Sequence, residues 1–372
     1  MTKAKLKFSK QDNAYMKMAL DLSRRGLGRT SPNPSVGCVI VKDGHVIGRG
    51  WTSDGGRPHG EINALQQEND VRNATVYVTL EPCAHHGNTP PCAEALVEAG
   101  VSKVIVATGD PDTRVSGKGI EILQNAGIEV FEGLMKEEAD KINQGFFLKV
   151  TDKRPLITVK IASSEDGKIA KIKDEQSWVT GPGARMRGHL YRANHDAILV
   201  GINTVLIDDP MLDCRIAGLS SQSPIRIILD SHLRLRTASK ICETAREIDT
   251  WVMTLCQDRE KITSLEAKGI SVIKIDKNAE GRISLTHVSE VLAKRGITRL
   301  LSEGGAQVNA SLIKEGLVDH LIWFKSTESI GATGVNALYD ISITELGDYL
   351  NLTLIDEGIV GEDNWQEFMT ER

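Results

Sequence analysis

Near the start of the chain, apolar side chains recur at helical spacing. Ala14, Met18, Leu22 and Leu27 predict an amphipathic helix over 11–27. The period then changes. Residues 36–41 and 45–50 are short apolar runs on either side of Lys42-Asp43-Gly44, and an Asp-Gly pair between such runs predicts a hairpin. Beyond it, helices are expected over 60–68, 92–99, 120–126 and 136–148, with Gly100 closing the second. Strands are expected over 75–79, 104–107 and 128–130. Residues 149–154 are polar and precede Pro155, which predicts a linker. The alternation then restarts. Strands are expected over 156–161, 197–200, 225–229, 250–254, 271–275, 299–302 and 320–324, and helices over 182–192, 286–295 and 305–315. Two α/β domains follow, 1–150 and 151–372, each a sheet covered by helices.

Length and composition agree with this division. A chain of 372 residues favours more than one domain, and 40% hydrophobic with 26% charged residues is a packed globular composition. The net charge is −5, with no lysine- or arginine-rich arm. That counts against nucleic acid as a partner, because such binding neutralises many phosphates. A few local basic residues would have to hold any small anionic substrate. No apolar run reaches the roughly 18 residues that span a bilayer, so no membrane partner is expected. The basic start Met-Thr-Lys-Ala-Lys-Leu-Lys has no apolar segment behind it and reads as no secretory signal. A cytoplasmic location is expected, where thiols stay reduced.

Candidate chemistry concentrates in Thr79-Leu-Glu-Pro-Cys-Ala-His-His-Gly-Asn-Thr-Pro-Pro-Cys92, which holds two of the six cysteines. Cys38, Cys214, Cys242 and Cys256 are scattered singly and read as small buried apolar residues. Cys83 and Cys92 could form a disulfide, which a reducing compartment disfavours. They could form a closed structural metal site with His85 and His86, or an open one with an upstream ligand. His59-Gly60-Glu61 supplies that ligand. His59, Cys83 and Cys92 suit zinc, leaving a fourth tetrahedral position for water, whose pKa zinc lowers to about 7. Glu61 is close enough to His59 to handle protons without being a ligand. Zinc deaminases divide the labour in this way, under His-x-Glu…Pro-Cys-x2-Cys. Here eight residues separate the cysteines instead of two. His59 and Glu61 would open one helix, and Cys92 would open another behind Pro90-Pro91, where a thiolate is favoured.

In the second half the residues alone identify no activity. Neither Gly-x-Gly-x-x-Gly after a strand nor Gly-x4-Gly-Lys-Ser/Thr occurs. Ser302-Glu303-Gly304-Gly305-Ala306 follows a strand and opens a helix, which suits phosphate at backbone N–H groups and equally an ordinary helix start. Asp208-Asp209-Pro210 with Arg215 is a charged turn.

The motifs His59-Gly-Glu61, Thr79-Leu-Glu-Pro-Cys83 and His85-His86-Gly…Thr-Pro-Pro-Cys92 resemble the bifunctional deaminase/reductase family of riboflavin biosynthesis. So do Pro32-Asn33-Pro34-Ser-Val-Gly37 and Val39-Ile-Val-Lys-Asp-Gly44. The eight-residue gap is characteristic of that family. The resemblance continues through Thr158-Val-Lys160…Ser164-Glu-Asp166-Gly, Trp178-Val-Thr180 with Arg185, and Ala197-Ile-Leu-Val-Gly201…Thr204…Asp208-Asp-Pro210…Leu212…Arg215. It ends with Pro224-Ile-Arg-Ile-Ile-Leu-Asp230 and Glu303-Gly-Gly305. Nearly the whole chain is covered, the first domain more specifically.

This resemblance implies a cytidine-deaminase-like α/β/α sandwich followed by a dihydrofolate-reductase-like α/β domain, which accounts for the missing dinucleotide fingerprint. It implies Zn2+ on His59, Cys83 and Cys92, Glu61 as proton shuttle, and substrate contacts at Asn33 and His85. NADPH contacts are expected at Ser163, Trp178, Thr204, Asp208 and Ser231 and along Gly305, Ala306, Gln307, Val308, Asn309, Ala310 and Ser311. Further substrate contacts are expected at Lys160, Gln176, Arg192, Leu212, Arg215 and Glu303, with Arg192 and Arg215 anchoring phosphate through their guanidinium forks. The implied substrate is a phosphorylated pyrimidine, deaminated and then reduced from ribosyl to ribityl, in a homo-oligomer of two or four chains. Departures from the family pattern are Gly60 for Ala, Asn88 for Lys or Arg, Glu165 for Leu, Gln176 for Ser, and the segment 324–331. Two rival readings are a nucleoside or tRNA base deaminase with an accessory domain, and a non-catalytic binding protein with a structural zinc.

Overall fold

A computed structural model describes residues 8–68, 70–86, 90–113, 115–170, 179–342 and 345–371. The chain folds as two compact units, Met1–Asp152 and Lys153–Arg372.

In the first unit, α1 (Lys10–Ser23) opens with a capping box. The Ser9 hydroxyl accepts from the Asp12 N–H, and the Asp12 carboxylate accepts from the Ser9 N–H. The helix is shorter than its apolar spacing suggested, because the chain tightens into a 3-10 turn at Arg24–Gly26. The hairpin β1 (Gly37–Lys42) and β2 (His45–Trp51) turns at Asp43 and Gly44, both with positive φ, as a two-residue hairpin requires. Then follow α2 (Gly60–Leu65), β3 (Thr75–Val78), α3 (Cys92–Glu98), β4 (Lys103–Val106), α4 (Lys118–Asn125), β5 (Glu129–Glu132) and α5 (Lys136–Thr151). The sheet order is β2-β1-β3-β4-β5, with β1 antiparallel to both neighbours and β3, β4 and β5 parallel. Alternate strand residues serve opposite layers. Val76, Val78, Val104 and Val106 pack with Ala64, Ala93, Leu96 and Leu123 of α2, α3 and α4. Val39, Tyr77 and Ile105 pack with Met16, Leu20, Ala139 and Ile142 of α1 and α5. The result is the expected α/β/α sandwich. The linker expected from 149 is instead the end of α5: Lys149, Val150 and Thr151 extend the helix, and Lys149 sits favourably in its last turn.

The second unit runs β6 (Leu156–Ser163), β7 (Lys168–Ala170), α6 (Pro182–Ala193), β8 (Ala197–Gly201), α7 (Ile202–Asp208), β9 (Ile225–Leu229), α8 (Lys240–Glu243), β10 (Thr250–Thr254), α9 (Arg259–Glu266) and β11 (Ser271–Lys274). It continues with α10 (Leu285–Lys294), β12 (Arg299–Ser302), α11 (Ala306–Lys314), β13 (His320–Lys325), β14 (Val335–Asn336), α12 (Leu346–Tyr349), β15 (Leu352–Val360) and β16 (Asp363–Thr370). Nine strands form one sheet in the order β11-β10-β9-β8-β12-β6-β13-β16-β15. It is parallel from β11 to β13, and β16 and β15 add an antiparallel edge. Ile227 and Met253 face one buried cluster, Ile228 and Val252 the other. Burial on both faces explains the continuous apolar runs of these strands.

Arg226 of β9 is fully buried. Its Nε donates to Thr250 Oγ1, its Nη1 to Met211 O and Thr244 Oγ1, and its Nη2 to Ile241 O and Ile248 O. Every acceptor is neutral. Burial pulls the guanidinium down to about 10, so it remains charged at neutral pH. The one side chain ties β9 to β10, α8 and the loop after α7. Arg226→Met should remove the donor to Met211 O and Ile241 O, while Ile248 O keeps the Thr250 hydroxyl, and should lower stability by at least about 3 kcal/mol. Denaturant midpoints with an unchanged slope would record the loss, and a shift under about 0.5 kcal/mol would show that the acceptors find other partners.

Candidate functional site

Three separate segments build the first site. His59 is the N-cap of α2, and Glu61 lies in its first turn. Cys83 sits in the loop after β3, and Cys92 is the first residue of α3, behind Pro91 as N-cap. His59 Nδ1 lies 3.3 Å from Cys92 Sγ and 3.6 Å from Cys83 Sγ. The three donor atoms fall within 4.8 Å of one another, the cluster of this kind found among the described residues. A tetrahedral zinc with Zn–S near 2.3 Å and Zn–N near 2.0 Å would set nitrogen and sulfur about 3.5 Å apart. The donor set therefore fits zinc in both chemistry and spacing. All cysteines are free thiols, so the disulfide reading falls. Neither His85 nor His86 joins the cluster, and His86 pairs with Glu94 at 3.3 Å.

The electrostatics of this pocket are uneven. Glu61 is 2% exposed, and its Oε2 has no hydrogen-bond partner among the described residues. Burial lifts its carboxyl to about 7, with the Cys83 charge adding to the rise and the His59 charge opposing it. The Cys83 thiol is drawn down to about 4, first by the hydrogen bond from Cys92, with His59 and the Cys92 N–H assisting against burial. Cys92 moves the other way because its thiol donates to Cys83 and is buried. The hydrogen bond to Cys83 also raises His59.

Supporting groups fix these elements. Asn33 donates through Nδ2 to Gly56 O at 2.9 Å, and its own carbonyl accepts from Thr30 Oγ1. His85 is half-buried, and its Nδ1 has no partner among the described residues. Asn88 lies outside the described residues. Glu81 escaped the sequence reading. Its buried carboxylate accepts from Gly117 N and Gly119 N at 3.0 Å, and from Asp110 N and Ile120 N at 3.4 Å. Gly117, the N-cap of α4, has no side chain to cap with, so Glu81 caps that helix from outside. It thereby pins Asp110, Gly117, Gly119 and Ile120 to the segment carrying Cys83. An acid in an otherwise apolar buried stretch was the available signal.

In the second unit the expected cofactor residues gather at the carboxyl ends of parallel strands, where open α/β sheets bind ligands. Ser163 ends β6. Thr204 and Asp208 lie on α7 after β8, Ser231 follows β9, and Glu303 to Gly305 lead from β12 into α11. A Cβ on Gly304 would stand 2.7 Å from Val308, so only glycine lets this turn approach α11 so closely. Asn309 braces the turn, accepting from Ser302 Oγ and donating to Gly304 O. Ser163 is fully buried, its hydroxyl donating to Ser164 O and accepting from Trp323 Nε1. Burial pushes the Asp208 carboxyl up. Leu212 is buried with φ 55. Trp178 and Gln176 lie outside the described residues.

Glu303 is the electrostatic centre of this unit. Arg192 grips it with Nε and Nη2 at 2.7 and 2.9 Å, and Lys160 Nζ lies 3.7 Å away. Burial would raise its carboxyl, but the charges of Arg192 and Lys160 prevail and hold it at about 2. Arg192 Nη1 also donates to Asp213 O. Its fork is therefore engaged within the protein. Arg215, with 61% of its side chain exposed, faces outward beside Asp213.

Comparison with known proteins agrees unit by unit. Residues 9–108 match the family model for the cytidine and deoxycytidylate deaminase zinc-binding region, and residues 155–359 match that for the RibD C-terminal domain. Fold and site thus define a zinc-dependent deaminase joined to a reductase. The chain is 39% identical over 356 residues to riboflavin biosynthesis protein RibD of Actinobacillus pleuropneumoniae, covering 95% of this chain and 93% of that one. It is 38% identical over 334 residues to RibD of Escherichia coli K12, covering 87% and 89%. The structure of Acinetobacter baumannii RibD aligns with a TM-score of 0.88 at 37% identity, covering 98% and 99% of the two chains. A diaminohydroxyphosphoribosylaminopyrimidine deaminase/5-amino-6-(5-phosphoribosylamino)uracil reductase from Thermotoga maritima aligns at 0.84 and 33%, covering 97% and 99%. The chain belongs to the RibD family of riboflavin-biosynthesis proteins. It is a bifunctional enzyme, a zinc-dependent hydrolase and an NADPH-dependent oxidoreductase. The second unit removes the reading as a non-catalytic zinc protein. No described helix is long and apolar enough to cross a membrane.

Gly60 has a physical role that its sequence context hid. A Cβ there would stand 2.6 Å from Val36 O, so α2 can start against β1 only without a side chain. Gly60→Ala should destabilise the first unit by about 1–3 kcal/mol despite alanine's better helix propensity. Thermal unfolding with metal analysis checks this, and a stabilised variant with full zinc would refute the close approach.

Proposed function

We propose that the first unit deaminates 2,5-diamino-6-ribosylamino-4(3H)-pyrimidinone 5′-phosphate and that the second reduces the product's ribosyl group to ribityl. The observation that carries this reading is the three-donor cluster beside a buried, unpartnered Glu61 oxygen, an open arrangement with a proton acceptor in place. The name of the Thermotoga maritima relative supports the choice of substrate.

His59, Cys83 and Cys92 hold the metal in this reading. Zinc, when bound, supplies an activated water at neutral pH. Glu61 Oε2 would accept a proton and hand it to the leaving amine, which departs as ammonia. Burial of Glu61 raises its carboxyl above the usual range, in the direction a general acid–base group needs. Asn33 and His85 orient the ring. In the second unit, NADPH supplies the hydride. The backbone N–H groups at the start of α11, with Thr204, Asp208 and Ser231 alongside, would hold the cofactor. Lys160 and Arg192 fix the Glu303 carboxylate against the ribosyl hydroxyls, and Leu212 shapes the floor. Arg215 takes the substrate phosphate, because its fork is the outward-facing one. The chain is further proposed to work in the cytoplasm as a homo-oligomer. Light scattering that returned a single-chain mass would remove the latter element.

Glu61→Gln should retain zinc, lose deamination by about 10²-fold or more, and still reduce the deaminated product. Full deaminase activity in that variant would sink the assignment. Glu303→Gln should do the reverse, leaving ammonia release intact while NADPH oxidation falls. Measuring the two half-reactions separately distinguishes the outcomes.

A further inference from the structure

α6 presents His189 to the loop that follows α7, three residues before Arg192. Its Nδ1 lies 3.0 Å from Asp213 O and 3.4 Å from the Arg215 backbone N. Nδ1 can either donate to the Asp213 carbonyl or accept from the Arg215 N–H. The carbonyl contact is the shorter, and the Arg215 guanidinium facing Nε2 can only donate, which together assign the ring proton to Nδ1. Nε2 is then an acceptor, and it faces Arg215 Nη2 at 3.4 Å. Two further bonds hold the same loop to α6, from Arg192 Nη1 to Asp213 O and from Cys214 Sγ to His189 O. Charged groups reach the ring from three elements. Arg192 comes from its own helix, Asp213 and Arg215 from the loop, and Glu303 from the end of β12. Lys160 of β6 packs under Gly188, the neighbouring residue. Burial first, then the Arg192 charge, hold the imidazole below its usual range, so it is neutral at neutral pH.

We propose that His189 is a positioning residue for the substrate phosphate, acting through Arg215. The inference rests on the reading of Arg215 as the phosphate ligand. An exposed arginine samples many rotamers, and ordering it on the phosphate opposes binding. The neutral Nδ1–H tautomer removes part of that freedom by giving Arg215 Nη2 an acceptor, while Asp213 Oδ1 stands 3.4 Å from Arg215 Nε. Protonation of His189 would convert the acceptor to a donor and set a second cation against Arg215. The grip would weaken as the pH falls below the usual imidazole range.

The test measures NADPH oxidation by the full, zinc-loaded chain with the phosphorylated, deaminated substrate. NADPH affinity serves as the fold control. His189→Leu should raise KM about tenfold, the weight of one hydrogen bond to a charged group, with kcat within twofold. Adding it to Arg215→Ala should raise KM no further, since the two act through one contact. His189→Gln, which keeps an acceptor near the Nε2 position, should restore most of the affinity. It should also lack the extra rise in KM that the parent protein shows on acidification, while titration of the substrate phosphate is common to all variants. Equal effects of His189→Leu with and without Arg215 would overturn the proposal, as would a parent KM that falls on acidification. An unchanged KM in His189→Leu beside a raised KM in Arg215→Ala would overturn it and leave the phosphate reading standing. An unchanged KM in Arg215→Ala would overturn both.

Discussion

Burial of both faces of each sheet is the constraint from which the rest of the structure follows. Val76 and Val104 point into one helical layer while Tyr77 and Ile105 point into the other. Ile227 and Ile228 do the same in the second unit. Most side chains in the middle of such strands have no access to a ligand. The zinc donors and the Glu303 turn gather at strand ends and at the helix starts that follow, where backbone N–H groups are still unpaired, and Lys160 of β6 and Arg192 at the end of α6 reach Glu303 from outside that set. His59 and Cys92 occupy helix starts, Cys83 follows a strand end, and Glu303 stands between β12 and α11.

Within that frame the two units use buried carboxylates in opposite ways. Glu61 Oε2 has no hydrogen-bond partner among the described residues, and burial lifts its carboxyl to about 7. Glu303 is buried as well, yet Arg192 and Lys160 hold it at about 2. One carboxyl can exchange a proton near neutrality, and the other is a permanent anion. Environment alone separates the two roles.

The zinc donors were legible because imidazole and thiol have few other reasons to recur at those spacings near helix starts. The alternation of elements was legible wherever a strand was buried on both faces. The hairpin of β15 and β16 was not. Leu354, Ile355 and Ile359 of the edge strand are exposed, so no one-sided alternation marks it. The single-turn helices α8 and α12 span too few residues to show a period. Arg192 and Arg215 look alike in sequence, and only geometry shows that one fork is closed on Glu303. Gly60 reads as a mild helix weakener until the Val36 carbonyl is seen beside it. The roles of Glu81 and His189 depend on contacts with residues 29–39 and 24–26 positions away respectively, beyond any local pattern.

The strand order has a consequence for how the chain comes off the ribosome. The first unit's sheet is complete once residue 132 has emerged, because all five of its strands lie before that point. β6 is the first strand of the second sheet, yet its two neighbours are β12 and β13. It must wait for residues 299–325 before either of its edges is paired. Until then a strongly apolar strand is available to wrong partners, the exposure that makes late long-range pairing prone to aggregation. An early-folding deaminase therefore tethers a reductase whose central strand stays open until synthesis is nearly finished.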